Sequence, residues 1–250
     1  MQDTDGHLTG RTELVTGAAK RLGRTISLAL AQSGVRLLVH YNRSSQEALA
    51  LCEKIQQAGG AAWPVCGNLS EPDQAEAVFR EAVAKAGPID ILVNNASIFE
   101  RDTLWEATDQ SIRRNLHIHA VAPLILARQF ARQGGEGHIV NLLDTRITVY
   151  DKEHASYHIS KRMLLTLTRM LAQELAPKIA VNAVAPGLIL PPEGQDESYL
   201  KKLVHTNPLH RHGEAADIVQ AVLFLLRSRF ITGQVIFVYG GYHMKGHMYD

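Results

Sequence analysis

The sequence is short of cysteine, of net charge and of long apolar runs, and each shortage excludes something. Its two cysteines, Cys52 and Cys66, have neither CxxC spacing nor a zinc pattern. They read as core thiols of a reducing compartment. Lysine and arginine number 26 against 25 acidic residues, so no basic face suited to nucleic acid is implied. No apolar run approaches membrane-spanning length, and the polar start MQDTDGHLTG lacks an apolar leader core. The 12 histidines are scattered; His210, His212, His243 and His247 read as surface residues lacking the further ligands a metal needs. A cytoplasmic protein with no metal, membrane or nucleic-acid partner is expected.

With 46% hydrophobic residues, the 250-residue chain suits one α/β domain over 1–250 that buries a core without staples. Strand-length apolar segments at 13–16, 35–40, 61–66, 89–93, 138–143, 179–184 and 235–238 alternate with helical patterns. The helical patterns cover 21–33, 44–58, 71–86, 109–133, 152–176 and 215–227. This alternation predicts a doubly wound parallel sheet of about seven strands, covered by helices on both faces. Three prolines qualify it. Pro64 is awkward inside a strand. Pro72 fits a first helical turn with Ser70 as N-cap. Pro123 should bend or split the long helix. The irregular stretch at 186–198, with its continuation to 205, is expected to be a substrate loop, since ligands bind beyond the carboxyl ends of such strands. A plain surface excursion is the alternative.

A plain GxGxxG is also missing. Instead, the first strand runs into Thr16-Gly17-Ala18-Ala19-Lys20-Arg21-Leu22-Gly23 and a helix. Small residues there let backbone N–H groups approach a pyrophosphate at a positive helix end, which makes Gly17, Arg21 and Leu22 candidate contacts. The second strand ends His40-Tyr41-Asn42-Arg43-Ser44, without the acidic residue that holds an unphosphorylated ribose. Arg43 can meet a 2′-phosphate bidentately and Ser44 can donate to it, so NADPH is favoured over NADH. His40 and Asn42 join them as candidate cofactor contacts. A solvated surface arginine is the plain alternative.

Tyr157 and Lys161 stand four apart on one face of a predicted helix. A lysine beside a tyrosine stabilises phenolate, which makes the phenol a usable acid near neutral pH. Asp144 ends the fifth strand. It can orient substrate or pass a proton, or simply cap the strand end.

Together these residues resemble the short-chain dehydrogenase/reductase family, a Rossmann-type fold, from Thr16 to Gly241. The marks are the TGxxxxxG turn, Asn94-Asn95-Ala96, Tyr157xxxLys161, Pro186-Gly187, Thr232-Gly233-Gln234 and Gly240-Gly241. Within it the chain looks most like the pteridine reductases. Arg21 replaces the turn's middle glycine, HYNRS follows strand two, Asn95-Ala96-Ser97-Ile98-Phe99 resembles their NAS-x-F, and Asp144 stands where most members have serine. The resemblance implies hydride transfer from NADPH to a C=N carbon of a dihydropterin, with Asp144, Tyr157 and Lys161 catalytic. Arg21, Ser97, Phe99, Asp144 and Tyr157 would meet the pterin. Asn68, Leu69, Asn95, Ala96, Ser97, Tyr157, Lys161, Pro186 and Gly187 would join the cofactor contacts. It further implies a homotetramer, in keeping with the apolar breadth of the helix at 152–176. Two departures stand out: His119 occupies the usual relay asparagine position, and Tyr239 replaces a common aspartate. A 3-oxoacyl-thioester or other carbonyl reductase is the alternative, and a catalytically silent NADPH-binding protein a remoter one.

Overall fold

The computed structural model describes residues 8–192 and 194–247; the first seven residues of the polar start lie outside them. Seven strands form one parallel sheet in the order β3-β2-β1-β4-β5-β6-β7. They are β1 (Thr12–Val15), β2 (Arg36–Tyr41), β3 (Ala62–Cys66), β4 (Ile91–Asn94), β5 (Gly137–Leu142), β6 (Ile179–Pro186) and β7 (Val235–Val238). β1 and β4 are buried along their whole length, as strands covered on both faces must be. Val15, Leu37, Val39 and Val93 pack with α1 (Arg21–Gln32), α2 (Ser45–Gln57) and α8 (Ala215–Arg227) on one side. Leu14, Leu38, Leu92 and Ile139 pack with α3 (Gln74–Ala86), α5 (Ala122–Arg132) and α6 (Ala155–Glu174) on the other. The strand order reverses at β1 and β4, so a crevice opens beyond their carboxyl ends.

The structure corrects three local expectations. Pro64 sits inside β3 opposite Val39, but β3 is an edge strand, where a missing N–H costs no ladder bond. α3 begins at Gln74, so Pro72 precedes it and Ser70 is not its N-cap. The Asn68 side chain instead accepts from the Ser70 N–H at 3.2 Å and its hydroxyl at 2.8 Å, folding that stretch into a turn. The region after β6 is not wholly irregular, for it holds the short helix α7 (Glu197–Leu203). Pro123 acts as expected. The long helix divides into α4 (Asp109–Leu116), a π-turn (His117–Val121) and α5, whose first turn accommodates the proline.

Candidate active site

The turn after β1 is locked from below. Gly17 takes a left-handed φ of +63°, and a Cβ there would lie 2.9 Å from Ala96 Cα. The Thr16 hydroxyl accepts from the Asn95 and Ala96 N–H groups at 2.9 and 3.0 Å. Asn95 Nδ2 donates to the Thr16 and Gly17 carbonyls at 2.9 and 3.1 Å. Asn95 and Ala96 thereby tie the turn to the end of β4. His40 braces the same turn: its Nδ1 accepts from the Gly17 N–H at 3.1 Å, which leaves Nε2 to donate to the Gly67 carbonyl at 3.1 Å. Burial pulls its pKa down to about 4, so the ring is neutral in both bonds. The side chain is fully engaged beneath the turn and braces it. Leu69 buries its side chain in the core against α3.

What faces the crevice suits an anion. α1 starts behind Lys20, which makes no capping bond, so its first N–H groups are free of a side-chain cap. Arg43 is exposed, with no partner among the described residues, and Ser44 beside it makes no capping bond to α2. Asn42 Nδ2 donates to Asn68 Oδ1 at 3.2 Å, joining the ends of β2 and β3. Leu22 is half-buried at the start of α1. Pro186 ends β6; a Cβ on Gly187 would lie 2.4 Å from that of Tyr239, so only glycine lets the chain pass there. Arg21 behaves unexpectedly. It holds a left-handed φ of +50°, and its guanidinium donates to the Pro191 carbonyl in the loop after β6.

The candidate reacting groups meet where β5 gives way to α6. Tyr157 Oη donates to Asp144 Oδ2 at 2.8 Å. Burial and the neighbouring carboxylate hold the phenol well above its usual range. Lys161 is buried, and its ammonium donates to the Leu142 carbonyl at 2.7 Å, not to the phenol. It lies 5.6 Å from the centroid of the Tyr157 ring. The expected depression of the Tyr157 pKa by Lys161 is therefore not what this geometry gives, because desolvation and Asp144 dominate. Burial brings Lys161 itself down to about 8.

His119 is a neutral bridge. Its Nε2 accepts from the Ile98 N–H at 3.2 Å, so the Ser97 hydroxyl, 2.9 Å away, donates to it as well. Nδ1 then donates to Ser160 Oγ at 2.8 Å, and that hydroxyl donates to the Tyr157 carbonyl at 2.6 Å. Burial and the Lys161 charge hold the imidazole well below its usual pKa. The residue at the relay position thus fixes Ser97 to the helix that carries Tyr157.

Phe99 stacks on His154 at 4.0 Å and meets Tyr157 edge-on at 4.9 Å. The Arg146 guanidinium lies 4.9 Å from the Phe99 centroid and 2.9 Å from His154 Nδ1. Groups hydrogen-bonded to each other cannot cover opposite faces of a ring, so both lie on one side of Phe99, which is 41% exposed. Arg146, Asp151 and His154 were not legible as site residues in the sequence. Their only signal is proximity, two residues after Asp144 and three before Tyr157.

Fold and site together define a dinucleotide-dependent oxidoreductase built around a tyrosine–lysine pair. Residues 17–243 match the family model described as enoyl-(acyl carrier protein) reductase. The chain belongs to the short-chain dehydrogenase/reductase family. It is 35% identical over 244 residues to an uncharacterized oxidoreductase of Methylorubrum extorquens, covering 94% of this chain and 98% of that one. It is 33% identical over 248 residues to the 3-oxoacyl-[acyl-carrier-protein] reductase FabG of Staphylococcus aureus, with coverage of 94% and 98%. Among solved structures, FolM alternative dihydrofolate reductase 1 from Brucella canis, complexed with NADP, matches with a TM-score of 0.89. It is 35% identical, over 95% of this chain and 96% of that one. No described helix is long and apolar enough to cross a membrane.

Proposed function

We propose that this chain is an NADPH-dependent reductase of dihydropterins, acting on a C=N bond of the pterin ring. The observation that carries it is the 2.8 Å bond between Tyr157 and Asp144 beside the exposed Phe99 ring. Reducing a C=N bond leaves a ring nitrogen that needs a proton, and the phenol–carboxylate pair is a proton source placed for it. The exposed Phe99 ring offers a flat heterocycle an aromatic surface.

NADPH supplies the hydride. Arg43 and Ser44 receive its 2′-phosphate, and the Gly17–Arg21–Leu22 turn its pyrophosphate. Asn42 and Asn68 lie toward the adenine end, while Asn95, Ala96, Ser97, Pro186 and Gly187 line the nicotinamide end. Lys161 holds the nicotinamide ribose. The likeness to the Brucella canis FolM enzyme supports the reading. Likeness to the FabG reductase favours a second one, reduction of a 3-oxoacyl thioester. Asp144 in the serine position argues against it, since a ketone asks only for one hydroxyl donor. A homotetramer completes the proposal, because α6 leaves Ile159, Met163 and Met170 exposed.

The deciding experiment is steady-state NADPH oxidation with dihydrobiopterin, dihydromonapterin, dihydrofolate and an acetoacetyl thioester side by side. Turnover of a dihydropterin is expected. Turnover of the thioester alone replaces this reading with the second.

A further inference from the structure

A cleft of about 610 Å³ opens beside the Tyr157–Asp144 pair, with Phe99 and Arg146 on its wall and Lys152, Glu153 and Tyr199 further along. Its charges are unequally engaged. Asp151 accepts from Arg146 Nη1 and lies 3.0 Å from His154 Nδ1. Glu153 accepts from Arg101 at 2.6 Å. Both carboxylates therefore have cationic or N–H partners, whereas Lys152 has none among the described residues. The unmatched groups of the cleft are donors and cations.

Arg146 is the best placed of them. Its backbone N–H donates to Asp144 Oδ1 at 2.7 Å, which ties it to the reacting pair. Nη1 is held by Asp151 and His154, and the guanidinium rests against Phe99. These contacts fix the plane of the side chain, and Nε and Nη2 have no hydrogen-bond partner among the described residues. That edge carries the two parallel N–H groups that match a carboxylate. Arg146 lines the cleft, and its side chain is about a third exposed, at 34%.

We propose that Arg146 determines specificity by receiving a carboxylate on the substrate's tail through Nε and Nη2, with Lys152 adding charge nearby. The assignment rests on the pterin reading and narrows it. The substrate class becomes folate-type dihydropterins, whose side chain ends in carboxylates, in preference to those with neutral side chains.

The test is a binding titration of the NADP-loaded protein with folate and with biopterin, which share the ring and differ in the tail. Wild-type protein should bind folate at least about tenfold more tightly. Arg146→Leu should shrink that ratio to within about twofold, and Arg146→Lys, which keeps the charge without the fork, should fall between. Circular dichroism and NADPH binding report whether each variant is folded; if the leucine variant is not, the lysine variant carries the comparison. A wild-type ratio near one, or a ratio unchanged by substitution, overturns the role of Arg146. If neither ligand binds wild-type protein, the pterin reading itself fails, which is a separate outcome.

Discussion

Tyr157 and Asp144 share one hydrogen, and their separate roles show in how each variant fails. Tyr157→Phe should lower turnover by about 10²–10⁴-fold, the range of a lost general acid, while NADPH still binds by fluorescence titration. Asp144→Ala should harm dihydropterin reduction more than any residual ketone reduction; the reverse order would defeat the proton-source role. The same change removes a carboxylate that raises the phenol's pKa. The alkaline limb assigned to Tyr157 in a pH–rate profile should therefore move to lower pH. At the other end of the crevice, Arg43→Ala should raise the KM for NADPH far more than that for NADH. An equal effect on both would count against a 2′-phosphate contact.

α6 is positioned by a residue outside it. Asp102 Oδ1 accepts from the Ser156 N–H at 3.1 Å, and Oδ2 accepts from the Ser156 and Ser111 hydroxyls. Its backbone also pairs with Glu153 and Ala155 at 2.9 Å on both sides. Asp102 thus caps the helix one residue before Tyr157 and joins it to α4. Asp102→Ala should cost about 1–2 kcal/mol of stability and lower kcat more than it raises KM, with Asp102→Asn recovering part of both. Thermal melts beside steady-state kinetics check this. Patterning in the sequence locates all seven strands to within two residues, because strands covered on both faces are mostly apolar. Helix starts are less legible. α3 begins late because the Asn68 side chain captures the preceding turn, and α7 is too short to carry a period. His40 lies in the motif that marks cofactor contacts, yet its function as a brace depends on Gly17 and Gly67 approaching from other elements. Arg146 depends similarly on Asp151, His154 and Phe99, which no local spacing connects.

On the scale of the molecule, Glu13 is a costly residue. It lies in the middle of the sheet, fully buried, and neither carboxylate oxygen has a hydrogen-bond partner among the described residues. Burial raises its pKa well above the usual carboxylate value. The fold therefore holds this proton more tightly than the unfolded chain does, and the stability tied to it is lost as pH rises above the unfolded value of about 4.3. Glu13→Gln should remove that pH dependence and raise the melting midpoint at pH 8 relative to wild type. Identical slopes for the two proteins would refute it. Light scattering should report a mass about four times the 27.6 kDa chain, and Met170→Glu should lower it. A wild-type mass of one chain would dismiss the tetramer. The bond from Arg21 to Pro191 joins the first turn of the fold to the loop after β6 across 170 residues. The cofactor phosphate proposed for the crevice would compete with the loop's carbonyl for that one guanidinium. Whatever draws it toward the anion releases the loop, and thermodynamic reciprocity requires that a docked loop weaken the anion's hold by the same factor.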